Sequence, residues 1–133
     1  MRGGMRKLEH ILCIDDETDI LEVAKMALEM VGGLRVSCLD QSREAVETAK
    51  ALQPDLILID VMMPQMDGPS TLAALQADPA SRHIPVVFMT ARVQPAEVDA
   101  YLALGAAGVV PKPFDPMTLS TQIGAIWEQA AHG

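Results

Sequence analysis

Leu56-Ile57-Leu58-Ile59-Asp60-Val61-Met62-Met63-Pro64-Gln65-Met66-Asp67-Gly68 is the stretch from which the fold can be read. Its first four residues are apolar on both alternating faces. A strand with one face in water alternates apolar and polar residues, whereas a strand covered on both faces runs apolar throughout. This run therefore reads as the central strand of a parallel sheet. It stops at a carboxylate, Asp60, and Pro64, Asp67 and Gly68 follow as turn and helix-start signals.

Four further apolar runs flank it, at His10-Ile11-Leu12-Cys13-Ile14, Leu34-Arg35-Val36-Ser37-Cys38, Pro85-Val86-Val87-Phe88-Met89 and Gly108-Val109-Val110. Between them, apolar residues recur at helical spacing, as in Ile20, Val23, Ala24, Ala27, Leu28 and Val31, and again in Leu119, Ile123, Ile126 and Trp127. Five strands alternating with five helices predict an α/β domain whose parallel sheet carries helices on both faces. Gly32-Gly33 should end the first helix and Pro54 should precede the third strand. Thr18 or Asp19 is expected to cap the first helix, Asp67 the third, and Asp115 the fifth with Pro116 at its first position. Pro111 cannot donate to a ladder, so the fifth strand must lie at a sheet edge.

The 133 residues suffice for one core, and with one Trp, one Tyr and two Phe that core must be aliphatic. A net charge of −8 argues against nucleic acid or an anionic membrane as a direct partner and suits a protein that meets other proteins and holds a cation. Cys13 and Cys38 lack zinc-site spacing and read as free thiols, small buried hydrophobes in apolar runs. No apolar stretch approaches the roughly 20 residues of a membrane span. Met1-Arg2-Gly3-Gly4-Met5 lacks the apolar segment of a signal peptide, so a cytoplasmic protein is expected. Residues 1–6 are expected to be a disordered extension and 7–130 the domain. The ending at His132-Gly133, just past the fifth helix, carries the expectation of a stand-alone domain without an output module.

In an open parallel sheet, ligands bind beyond the carboxyl ends of the strands. The first strand ends in Asp15-Asp16, the third in Asp60, the fourth in Thr90-Ala91 and the fifth in Lys112-Pro113. Three carboxylates in a small volume are costly unless a cation neutralises them, and oxygen-only ligands suit a hard ion, Mg2+ better than Ca2+ or Zn2+. A lone Asp-Asp pair is ordinarily a cap or a solvated loop. The coincidence of Asp60 and Lys112 at matching strand ends turns the reading towards a site. Asp60 is the candidate nucleophile, since a carboxylate can attack phosphorus to give an aspartyl phosphate. Lys112 is expected to pair with it at rest and with phosphoryl oxygen afterwards, and Thr90 to donate a hydrogen bond to that group.

Four segments, Ile14-Asp15-Asp16-Glu17, Asp60 to Gly68, Met89-Thr90-Ala91 and Pro111-Lys112-Pro113-Phe114, resemble the receiver domain of bacterial two-component response regulators, in family order and at family spacing. The resemblance runs from about Lys7 to about Gln129. It implies a flavodoxin-like (βα)5 sheet of order 2-1-3-4-5, a phosphorylated Asp60, and Mg2+ held by Asp15, Asp16, Asp60 and the backbone carbonyl of Met62. It further implies phosphoryl contacts from Thr90 and Lys112, a cis Lys112-Pro113 bond, and neighbouring strands for Cys13 and Cys38. The implied partners are a sensor histidine kinase or histidine phosphotransfer protein and a downstream protein target. The implied role is signalling through a conformational change, not enzyme turnover. One position departs from the pattern. Where many receivers carry Tyr or Phe three residues before the lysine, as a switch residue working with Thr90, this chain has Val109.

A haloacid-dehalogenase-type phosphatase needs Asp-x-Asp after the first strand, not Asp15-Asp16-Glu17-Thr18, and a cap insertion for which there is no space. A flavodoxin-like electron carrier needs a hydroxyl-rich phosphate loop where this chain is acidic. The closer rival is a phosphorylation-independent docking module, which would be expected to lack one of Asp16, Asp60 or Lys112.

Overall fold

The computed structural model describes residues 7–132; the expectation of disorder for residues 1–6 falls outside them. The elements follow the order β1 (His10–Ile14), α1 (Thr18–Met26, running into a π-turn at Ala27–Val31), β2 (Arg35–Leu39), α2 (Ala45–Leu52, entered through a 3-10 turn at Ser42–Glu44), β3 (Leu56–Asp60), α3 (Gly68–Ala77), β4 (Val86–Thr90), α4 (Pro95–Ala103), β5 (Gly108–Pro111) and α5 (Leu119–His132). All strand pairs are parallel and the sheet order is β2-β1-β3-β4-β5, the flavodoxin-like arrangement. β5 is an edge, which is why Pro111 is tolerated at its end.

Period-two alternation sorts the strand side chains into two cores. Ile11, Cys13, Leu56, Leu58, Val87 and Met89 face α1 and α5, where Leu21, Ala24, Leu28, Leu119, Ile123 and Trp127 meet them. Leu12, Ile14, Ile57, Ile59, Val86 and Phe88 face the other way, towards Ala45 and Ala49 of α2 and Leu72 and Leu75 of α3. Each fully buried Leu or Ile contributes about 1.5–3 kcal/mol of transfer free energy, so the central strands anchor everything at their ends.

Four local expectations need correction. The N-cap of α1 is Glu17, with Thr18 as the first helical residue, and no side chain caps that end. Val23 and Val31, expected on the buried stripe, are exposed. The inner line is Leu21, Ala24, Ala27 and Leu28, and the wider π-turn carries Val31 off it. α5 starts at Leu119 and not at Pro116: the Asp115 side chain accepts the Met117 N–H at 2.9 Å, capping a turn that precedes the helix. Cys38 is also exposed, because β2 is the other edge strand; Cys13 is buried beside it in register, and both thiols are free. Asp67 caps α3 as expected, accepting the Ser70 N–H at 2.8 Å. No helix among the described residues is long and apolar enough to cross a membrane.

Candidate functional site

β1, β3, β4 and β5 run parallel, so their carboxyl ends deliver Asp15-Asp16, Asp60, Thr90 and Lys112 to one edge. The β3 end is held tightly. The Gly68 N–H donates to the Val61 carbonyl at 2.9 Å, and a Cβ at Gly68 would lie 2.9 Å from Val61 Cα and 3.1 Å from the Asp60 carbonyl oxygen. Only glycine lets the start of α3 approach the strand that carries Asp60 this closely.

Carboxylate oxygens of Asp15, Asp16 and Asp60 lie within 4.8 Å of one another. Asp15 and Asp60 are buried, at 0% and 4% exposure, while the adjacent Asp16 faces solvent, as neighbouring residues at a strand end should. A cleft of about 260 Å³ opens beside Asp16, lined by Asp40, Ser42, Met63 and Gln65 among others. Lys112, its side chain only 15% exposed, reaches into the cluster, and the Lys112–Pro113 bond is cis. Its Nζ stands 2.9 Å from Glu17 Oε1, 3.0 Å from Asp15 Oδ2 and 3.3 Å from Asp60 Oδ2. The expected resting partner, Asp60, is thus the most distant of three. Glu17 was not singled out from the sequence. The signal was its place as the third acidic residue in a row, but nothing local shows that a lysine 95 residues away will reach it.

The electrostatics agree on a shortage of positive charge. Burial pushes the Asp15 carboxyl above the usual carboxylate range, and the hydrogen bonds from the Glu17 N–H and Lys112 offset it only in part. Asp60 is raised as well, by burial and then by the Asp15 charge, against the pull of Lys112 and the Met62 N–H. Burial alone would lower the Lys112 ammonium, but its bonds to Glu17 and Asp15 and the Asp60 charge outweigh that and hold it up. The three clustered carboxylates of Asp15, Asp16 and Asp60, with oxygen as the only donor type, fit a hard divalent cation.

The remaining expected residues stand at the rim. Thr90 is buried and its Oγ1 accepts the Arg92 N–H at 3.0 Å. Met62 is 68% exposed, while its backbone N–H bonds to Asp60. Val109 is half-buried on β5 in register with Phe88, and the ring packed on Phe88 comes from α4: Tyr101, edge-on at 5.3 Å.

Residues 11–124 match the response regulator receiver domain family. Among curated proteins, the chain is 31% identical over 128 residues to the transcriptional regulatory protein CseB of Streptomyces avermitilis, covering 96% of this chain and 53% of that protein. It is 36% identical over 117 residues to the transcriptional regulatory protein YvrH of Bacillus subtilis, covering 86% and 47%. The chain therefore spans about half the length of the curated relatives it matches. Among solved structures, it is similar to the chemotaxis response regulator CheY4 of Vibrio cholerae, with a TM-score of 0.82 and 28% identity over 90% of this chain and 99% of that one.

Proposed function

This chain belongs to the response regulator receiver family, and from that premise we propose that it accepts a phosphoryl group on Asp60, in a Mg2+-dependent reaction, from a sensor histidine kinase or histidine phosphotransfer protein. The observation that carries the proposal is the setting of Asp60: a buried carboxylate at the end of the central strand, 3.3 Å from a lysine ammonium and within 4.8 Å of two more carboxylates. Asp15, Asp16 and Asp60, with the Met62 carbonyl, would hold the ion, which supplies positive charge to the phosphoryl oxygens.

The chain's own residues do the rest. Asp60 attacks phosphorus in line, an O–P bond forms as the donor's N–P bond breaks, and the electron pair returns to the donor imidazole. Lys112 offsets charge on the transferred group from the β5 side. Thr90 exchanges the Arg92 N–H it now accepts for a hydrogen bond donated to a phosphoryl oxygen, which draws the loop after β4 inward. α4 contributes no fully buried residue and touches the body through the half-buried Glu97, Val98 and Tyr101, so it is the helix most easily displaced. We read residues 7–130 as the functional unit and α4 with its rim as the surface a downstream protein reads. The net charge of −8 disfavours a phosphate backbone as a direct partner of these residues. The relatives named as transcriptional regulatory proteins are about twice as long as this chain.

Incubation with acetyl phosphate and Mg2+ followed by intact-mass measurement tests the reading. One phosphoryl group should be added to the wild type and none to Asp60→Asn. Equal modification of both would move the site elsewhere, and no modification of either, with a cognate kinase as well, would favour a phosphorylation-independent docking module.

A further inference from the structure

We propose that Glu17 is a positioning residue that anchors the Lys112 ammonium at rest and competes with the phosphoryl group for it. The inference deepens the phosphoacceptor reading and rests on Asp60 being the acceptor. The shortest of the three Lys112 contacts is to Glu17, at 2.9 Å. Asp15 and Asp60 have a further duty in the proposed cation site, whereas Glu17 lies outside that carboxylate cluster.

The placement of Glu17 is built by the fold. It occupies the N-cap of α1 in an extended conformation, and its side chain does not turn back to bond the helix's free N–H groups. Its own N–H is tied to Asp15 Oδ1 at 2.9 Å, which fixes the base of the side chain beside the cluster. The carboxylate then extends across to the β5 lysine. Its side chain is 60% exposed, so its charge is screened but not lost.

Each phosphoryl oxygen that forms on Asp60 needs positive charge. A carboxylate 2.9 Å from the ammonium cancels part of that field and adds repulsion of its own. The same charge helps to attract a divalent cation. Glu17 should therefore favour the ion and disfavour the phosphoryl group, two effects of opposite sign from one side chain.

Glu17→Gln keeps the shape and removes the charge. Calorimetric titration of the whole protein, first with Mg2+ alone and then with beryllofluoride at saturating Mg2+, separates the two effects. Mg2+ affinity should fall about twofold and beryllofluoride affinity rise about threefold, the scale of a partly exposed ion pair. Both changes should shrink at high ionic strength. A merely structural role would lower both affinities together, and that result would overturn the proposal, as would no change in either. Thermal melting of the variant checks that the fold is kept. Glu17→Asp, which holds the charge but is one methylene too short to reach Lys112, should keep Mg2+ affinity near the wild-type value; loss of that affinity would also count against the proposal. If wild type and Asp60→Asn bind beryllofluoride equally, or neither binds it, the phosphoacceptor reading falls and takes this inference with it.

Discussion

Replacing Asp60 with asparagine should stabilise the metal-free protein, although it removes the residue on which the proposed function depends. Asp60 lies at most 4.8 Å from the carboxylate oxygens of Asp15 and Asp16, so at an effective dielectric constant of about 20 each repulsion is about 3.5 kcal/mol or more. Its attraction to Lys112 at 3.3 Å returns about 5 kcal/mol on the same scale. The balance is unfavourable by about 2 kcal/mol, and solvent at the exposed Asp16 reduces it to about 1–2 kcal/mol. Asparagine is nearly isosteric and can still accept the Met62 N–H. The gain corresponds to a rise in Tm of roughly 3 to 8 °C for a domain of this size.

The pH dependence follows from the direction of the shift. Burial and the Asp15 charge hold the folded-state pKa of Asp60 above the unfolded value of about 3.9. The folded protein therefore keeps this proton to higher pH than the unfolded chain. Asp60 stabilises fully below the unfolded value, and that contribution is lost as pH rises through the folded-state pKa. The advantage of the Asn variant should be absent in acid and develop as pH climbs from the ordinary carboxylate range towards neutrality. Urea denaturation followed by far-UV circular dichroism, in a chelator and then in excess Mg2+, measures it. In Mg2+ the wild type should recover ground, because an ion that binds only the native state stabilises it by mass action. An Asn variant less stable than wild type in chelator at neutral pH would refute the charge accounting.

Gly68→Ala should cost about 2 kcal/mol in denaturant titration, since its Cβ would press on the Val61 and Asp60 backbone, and phosphoryl uptake should suffer with it. Asp67→Ala, which removes the α3 cap, should cost about 1 kcal/mol and leave uptake largely intact. The exposed Met62 side chain cannot orient water by hydrogen bonding, so Met62→Asn should shorten the phosphoryl lifetime in a decay assay; an equal or longer lifetime would discard the idea. Hydrogen exchange with and without beryllofluoride should change at residues 91–98 and leave Val109 and Val110 quiet, because a valine has little volume or rotamer freedom to switch.

The sequence by itself determined the sheet and the strand ends. A short run apolar on both faces and bounded by turn signals reads as a covered strand, and parallel strands carry their terminal residues to one edge, so the meeting of Asp15, Asp60, Thr90 and Lys112 was legible from where each apolar run stopped. The Asp67 cap was legible for the same reason, as a bond between near neighbours in the chain. What the tertiary structure decided involves partners far apart in sequence. Lys112 has three carboxylates in reach and stands nearest Glu17, a choice set by the distance between the end of β5 and the start of α1. Cys38 is exposed because its strand became an edge, though its apolar neighbours resemble those of the buried Cys13. Val31 left the buried stripe because a π-turn widened the helix where α5 packs against it through Gly32, with Ser120 only 2.7 Å from where a Cβ would be. Periodicity records which residues could share a face; only the assembled sheet and helices settle which face is covered and which charge an ammonium meets first.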